Sequence, residues 1–229
     1  MTTKFSSLER IIGVEFKDQA FLETALTHRS YLNEDPQSDR ESNERFEFLG
    51  DAILELVASQ HLFQTFPNLP EGQLTIYRSA LVSTKNLARV AKKLDLGKFL
   101  LMAKGEEAGG GRKNPSLLAN VVEALIGAIF LDQGLRPTQA FIEKQILVLL
   151  PKIIKSGTYK DPKSELQELV QEKLKMPPVY KVVEEEGPDH AKTFTVAVSA
   201  AGETIGQAKG PSKQQAEEKA AEKALEKLT

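Results

Sequence analysis

Asn43-Glu44-Arg45-Phe46-Glu47-Phe48-Leu49-Gly50-Asp51 is the stretch from which the rest of the chain is read. On a helix, Glu47 and Asp51 stand at i and i+4, so both carboxylates project from one face. Like charges at that spacing repel, yet Phe46, Phe48 and Leu49 beside them imply packing against a core. Carboxylates gathered beside a core commonly hold a cation. Oxygen ligands in a chain with no cysteine suit Mg2+, with Mn2+ as a substitute. The same spacing also fits two solvated acids on a helix surface.

A second polar pair interrupts an apolar run further along. Asn120 and Glu123, at i and i+3, lie among Leu117, Leu118, Val121, Val122, Ala124, Leu125 and Ile126. Burying an unpaired charge is costly, so this pair needs a partner. Either the two satisfy each other, or the two helices cross and Glu47, Asp51, Asn120 and Glu123 form one oxygen-rich cluster. Such a cluster would hold a divalent ion and activate a water against a phosphodiester.

Working outward, the first 150 residues read as helix after helix. Phe21, Leu22, Ala25 and Leu26 recur at helical spacing, as do Phe48, Leu49, Ala52, Ile53, Leu56 and Val57. One or two helices are expected over Leu74–Val90, after a turn at Pro70-Glu71-Gly72. Buried helices are expected over Ser116–Leu131 and Pro137–Leu150. Gly105–Asn114 reads as a mobile surface loop. Pro151–Pro162 is the best linker candidate. Beyond it, Ser164–Lys175 is an amphipathic helix, with Leu166, Leu169, Val170 and Leu174 on one face. Three short strands follow, at Val179–Glu184, Thr193–Ser199 and Thr204–Ala208, with turns at Gly187-Pro188 and Ala201-Gly202. An alanine-rich helix runs from about Lys213 to Lys227. The fold class expected is an all-α domain over 1–152, a linker over 153–160, and a small α+β domain, αβββα in order, over 161–229.

The 229 residues carry a net charge of −2, which excludes a polycation; residues 161–229 alone carry −3 and the rest +1. No stretch reads as a membrane span or a signal peptide, and the lack of cysteine fits a reducing cytoplasm.

Residues 43–51 taken whole resemble the signature of ribonuclease III. Thr27-His28-Arg29-Ser30 and Glu71-Gly72 resemble further landmarks of that family, and Leu118-Ala119-Asn120-Val121-Val122-Glu123-Ala124-Leu125-Ile126-Gly127 resembles its second catalytic stretch. The tail resembles a double-stranded-RNA-binding domain. The resemblance implies a homodimeric, Mg2+-dependent endoribonuclease that hydrolyses duplex RNA to 5′-phosphate and 3′-hydroxyl ends and acts in rRNA and other RNA processing and decay. It makes Glu47, Asp51 and Glu123 metal ligands, with Asp51 and Glu123 closest to the chemistry. Glu44 and Glu71 match acids that support dimer or substrate geometry. Position 120 departs from the pattern: Asn120 stands where the family has aspartate. An amide oxygen still ligates Mg2+ but brings no charge, so weaker metal binding is expected.

In the tail, the resemblance points to three RNA contacts: Gln167 and Glu168 on the first helix, His190 in the Gly187–His190 loop, and Ser212, Lys213 and Gln214 at the start of the last helix. Duplex binders read 2′-hydroxyls and phosphates across the minor groove, and a helix start favours anions. Gln214 and Gln215 replace basic residues usual in the family, so a weak grip is expected. His28 and His61 have no ligand cluster around them and read as structural or surface residues. A duplex binder without catalysis is the rival reading, and a protein-binding adaptor is the third.

Overall fold

The computed structural model describes residues 2–34, 40–157, 162–188 and 192–228, with the side chains of residues 2–4 left out. The chain forms two compact units, Met1–Tyr159 and Lys160–Thr229. The first unit is helical throughout: α1 Thr2–Ile12, α2 Gln19–Ala25, α3 Arg29–Leu32, α4 Glu44–Thr65, α5 Glu71–Leu81, α6 Thr84–Lys93, α7 Lys104–Ala108, α8 Pro115–Gln133, α9 Leu135–Gln145 and α10 Leu150–Ser156.

The organising element is α8, against which α2, α4, α6 and α9 pack. Its start is fixed locally. The Asn114 side chain accepts a hydrogen bond from the Ser116 amide at 2.9 Å, and Pro115 occupies the first helical position, where no amide is needed. Leu118, Val121, Val122, Leu125, Ile126 and Ile129 along it are buried. By length and composition α8 is apolar enough to cross a bilayer, contrary to the expectation that no run approaches that limit, but much of it is buried inside the unit.

Several expectations are revised. The segment at 105–114 is built rather than loose: α7 and a 3-10 turn at Gly111–Lys113 occupy it, and Arg112 donates to the carbonyls of Gly97 and Leu100 at 2.8 and 2.9 Å. Glycine content suggests mobility only where no side chain fastens the backbone. Glu71 and Gly72 do not form a turn; they begin α5, with Pro70 preceding it. The predicted helix at 137–150 breaks after Gln145 into a 3-10 turn and then α10, because Pro151 suits the first turn of a new helix but not the interior of an old one. Residues 153–156 of the expected linker are accordingly helical, and Ile153 is buried in the core.

The second unit runs α11 Pro162–Leu174, β1 Val179–Glu186, β2 Thr193–Ala200, β3 Glu203–Gly210 and α12 Lys213–Leu228. The strands form one antiparallel sheet in the order β1-β2-β3. Ala201 and Gly202 both adopt positive φ, 51° and 86°, the backbone of a tight hairpin turn with the right twist. The alanines of α12 have a structural reason: Ala216, Ala220, Ala221 and Ala224 are all buried. A Cβ on Gly206 would lie 2.4 Å from the Ala220 carbonyl oxygen, and one on Gly210 2.6 Å from the Ala216 amide nitrogen, so the helix rests directly on β3. On α11, Leu166 and Val170 are buried, but Leu174 is exposed, outside the expected apolar face.

Candidate active site

Two glycines set the crossing of α4 and α8. A Cβ built on Gly50 would fall 1.7 Å from the carbonyl oxygen of Glu123, and one built on Gly127 would fall 2.3 Å from that of Phe46. The helices therefore meet backbone to backbone. Glu47 and Asp51 flank this crossing on α4, and Asn120 and Glu123 flank it on α8.

The start of α4 is anchored from below. The Asn43 amide donates to the Thr27 carbonyl at 2.9 Å, and its buried side chain donates to the Ala25 carbonyl at 3.4 Å. Thr27 in turn pairs with Leu101 in a single parallel bridge, with the His28 amide on the Leu101 carbonyl at 2.8 Å. His28 Nδ1 accepts from the Ser30 amide at 3.3 Å and lies 2.8 Å from Ser30 Oγ, which itself accepts from the Ala103 amide at 3.0 Å. The hydrogen-bond pattern assigns the proton to Nε2. His28 is thus a helix cap, and it lies in the cavity wall.

That cavity measures about 690 Å³, and Glu44, Glu47, Asp51, Asn120 and Glu123 all line it, with His28, Arg29, Phe48 and Thr84. Burial, and then mutual repulsion, set the electrostatics of the acids. Burial raises the Glu123 carboxyl to about 7, helped by the charges of Asp51 and Glu47. Burial also raises Glu47, as do Glu44 and Asp51, while a hydrogen bond from Asn120 works the other way. As placed, no three His, Cys, Asp or Glu groups among the described residues are gathered tightly enough to enclose an ion. The acids share one cavity but stand apart, as uncompensated like charges do. In chemistry the donor set, three carboxylates and an amide, suits a hard divalent cation.

Glu71 is not brought to this cavity. It accepts from Thr75 Oγ1 at 2.9 Å and lines a separate hollow with Ser59, Phe63 and Arg78. Glu44 is at the rim, 3.7 Å from Arg29. Phe48, expected to pack, is 81% exposed. Neither Arg29 nor Thr84 has a role legible in the sequence, and His28, expected to be structural or surface, caps α3 in the cavity wall. The only hint for the first and last was their place in the Thr27–Ser30 landmark.

In the second unit Gln167 and Glu168 are exposed on α11, around a shallow hollow shared with Ser164 and Gln171. Ser212 caps α12, its Oγ accepting from the Gln215 amide at 3.3 Å. Gln214 donates to Glu218 at 3.1 Å. His190 lies outside the described residues. The lysines at this end are already engaged. Lys213 is 3.1 Å from Glu185 and sits over the Phe194 ring, while Lys209 is 2.9 Å from Glu186 and 3.5 Å from Glu184. The glutamate run on β1 thus neutralises the cations nearest the α12 start.

Residues 18–150 match the family model described as Ribonuclease-III-like, and residues 162–228 match the double-stranded RNA binding motif. Ribonuclease 3 of Pelotomaculum thermopropionicum is 45% identical, covering 87% of this chain and 83% of its own length. Ribonuclease 3 of Geobacillus kaustophilus is 46% identical, covering 88% of this chain and 82% of its own. Among solved structures, the nuclease domain of ribonuclease III from Campylobacter jejuni is 42% identical, with a TM-score of 0.58 over 63% of this chain and 96% of that one. The chain belongs to the ribonuclease III family of metal-dependent nucleases.

Proposed function

We propose that this chain is a double-stranded-RNA endoribonuclease whose catalytic centre is the cavity at the α4–α8 crossing, with Glu47, Asp51, Asn120 and Glu123 holding Mg2+. The observation that carries the reading is the convergence of three acids from two helices on one cavity, where burial first, and then the charges of Asp51 and Glu47, raise Glu123 to about 7. That much uncompensated negative charge calls for a cation. When bound, the ion supplies Lewis acidity to the scissile phosphate and lowers the pKa of the attacking water. Asp51 and Glu123 orient that water, whose oxygen bonds to phosphorus in line as the 3′ oxygen departs, leaving 5′-phosphate and 3′-hydroxyl ends. Arg29 brings a cation to the rim beside Glu44. The double-stranded RNA-binding unit grips the duplex through Gln167, Glu168, His190 and the α12 start at Ser212, Lys213 and Gln214. The same reading places the enzyme in the cytoplasm, in the processing and decay of rRNA and other transcripts.

The test is digestion of a long RNA duplex with Mg2+, followed by ligation of adaptors that require a 5′-phosphate. Adaptor-ligated fragments are expected from duplex and none from single strands. Duplex that is bound but never cut leaves only an RNA-holding protein.

The enzyme works as a homodimer. Phe48, Ala52, Leu56 and Phe63 fall on one exposed stripe of α4, with Phe48, Leu56 and Phe63 at 81%, 57% and 73% exposure. A contiguous exposed apolar stripe along one helix face marks an interface. The Campylobacter jejuni nuclease domain has a region described as involved in dimer formation. Phe63→Glu is expected to halve the mass seen by sedimentation velocity, and an unchanged dimer places the interface elsewhere. Two centres related by the dimer axis then cut opposite strands with a stagger.

Asn120→Asp adds a fourth acid and removes the hydrogen bond to Glu47. The half-saturating Mg2+ concentration for cleavage is expected to fall about tenfold, within the range for groups that tune a metal site. Melting in EDTA is expected to show a loss of roughly 1 kcal/mol, the worth of one hydrogen bond. An unchanged or higher Mg2+ requirement contradicts a ligand role for position 120.

A further inference from the structure

A second cavity of the nuclease unit, about 560 Å³ between α5, α6 and α10, has a different character from the first. Lys85, Arg89 and Lys152 line it, with the hydroxyl side chains of Thr75, Ser79 and Ser83 and no acid at all. Several other cations of this unit are tied to carboxylates, as in Arg29–Glu44, Arg40–Glu23, Arg78–Glu55 and Arg112–Glu107. The three cations here make no ion pair among the described residues; Arg89 donates only to the Asn86 amide oxygen, at 3.2 Å. Three cations with no ion pair among the described residues surround the hollow and supply charge for phosphate oxygens; Ser79 adds a hydroxyl, while Thr75 Oγ1 and Ser83 Oγ already donate to Glu71 and to the Ala80 carbonyl.

The site adjoins the catalytic cavity through the chain itself. Thr84 lines the catalytic cavity, and its neighbours Ser83 and Lys85 line this one, so the first turn of α6 is a wall shared by both. A strand leaving the carboxylates on that side would run toward the hollow that these cations line. The demand for such a contact is visible in the second unit, where Lys209 and Lys213 are held by Glu184, Glu185 and Glu186 and the net charge of residues 161–229 is −3. Phosphate neutralisation has to come from cations that are free to provide it.

We infer that Lys85, Arg89 and Lys152 form a phosphate-binding site that holds the RNA backbone beyond the scissile bond, supplying on the nuclease unit charge that the RNA-binding unit lacks. The inference rests on the reading of the chain as a duplex-RNA endonuclease. It adds a binding site distinct from the carboxylates and from the α12 start. The three side chains take no part in the chemical step, so they act on substrate capture alone.

The test compares the full-length chain with Lys85→Gln/Arg89→Gln/Lys152→Gln. Binding of a fluorescent RNA duplex in EDTA is followed across a salt series, and cleavage kinetics are measured with Mg2+. All three residues are solvent-facing at the cavity rim, so the variant is expected to melt like the parent. The expected result is a KM about tenfold higher, kcat within twofold, and a salt slope reduced by about 2 to 3, close to one per lost phosphate contact. Lys85→Arg/Lys152→Arg is expected to retain parental KM. Unchanged KM and salt slope overturn the proposal. A free phosphate compound is the other source of the same chemistry, and ATP and inorganic phosphate are titrated by thermal shift. Stabilisation by either that vanishes in the variant, with duplex binding intact, assigns the site to a free anion and overturns the RNA path. The EDTA binding arm does not depend on catalysis, so absent cleavage with a reduced slope faults the nuclease reading and leaves this site standing.

Discussion

Replacing Glu123 by Gln is expected to lower duplex cleavage by on the order of a thousandfold, equivalent to roughly 4 kcal/mol of transition-state stabilisation, while making the metal-free protein more stable at alkaline pH. The two effects share one cause. In the unfolded chain this carboxyl ionises near its ordinary 4.5; in the fold, burial and the charges of Asp51 and Glu47 raise it to about 7. The folded protein therefore keeps a proton that the unfolded chain gives up over that interval. Stability falls as pH rises from 4.5 towards 7, and the whole penalty is present above 7. Glutamine cannot ionise and escapes it. Because the side chain is only part-buried, the gain at pH 8 is discounted to about 1–2 kcal/mol from the value the full shift would give. No gain is expected at pH 4.5. Urea unfolding at both values, in EDTA, reads the difference directly. An equal change at both pH values removes the electrostatic origin, and cleavage within tenfold of the parent removes Glu123 from the chemistry.

Gly50→Ala is expected to be the most damaging single-methyl change in the nuclease unit. The added carbon meets the Glu123 carbonyl oxygen at 1.7 Å and its carbon at 2.6 Å. Both are backbone atoms inside a packed helix, so no side-chain rotation relieves the clash, and α4 and α8 must separate. Overpacking costs about 1–3 kcal/mol where the neighbours yield, and more where they do not; here at least the upper end is expected. At about 2–4 °C per kcal/mol for a unit of this size, the melting midpoint drops by about 10 °C, or the variant fails to fold. Gly127→Ala, meeting the Phe46 carbonyl at 2.3 Å, is expected to behave similarly. Gly72→Ala is the control. Nothing lies within 4 Å of its built Cβ, and it sits in the first turn of α5, so a neutral or slightly stabilising change is expected. Parental melting of both Gly50→Ala and Gly127→Ala would show that the crossing is looser than its geometry states.

Much of the architecture is legible in the sequence because periodicity is local. The i, i+4 spacing of Glu47 and Asp51 and the i, i+3 spacing of Asn120 and Glu123 place each pair on one helix face without reference to any other segment. What joins the two faces is less visible. A glycine inside a strong helical pattern costs about 1 kcal/mol against alanine, so Gly50 and Gly127 do signal a close approach. Neither names what approaches. The Thr27–Leu101 bridge and the Ser30–Ala103 hydrogen bond join segments far apart in the chain, and no window of residues contains both ends. The exposure of Phe48 is hidden for another reason: a large apolar side chain has the same pattern whether it enters its own core or waits for a second subunit. The pairing of Lys213 with Glu185 is equally hidden, since β-strand register, not sequence distance, brings the β1 acids to the α12 start.

Those β1 acids bear on how the enzyme parts from its product. Glu184, Glu185 and Glu186 already hold the ammonium groups that a docking duplex would claim. Contact with RNA trades carboxylate for phosphate at each lysine, and for exposed groups such a trade changes the energy little. Little net binding is gained at these lysines, so a finished fragment is expected to leave this unit quickly rather than be retained.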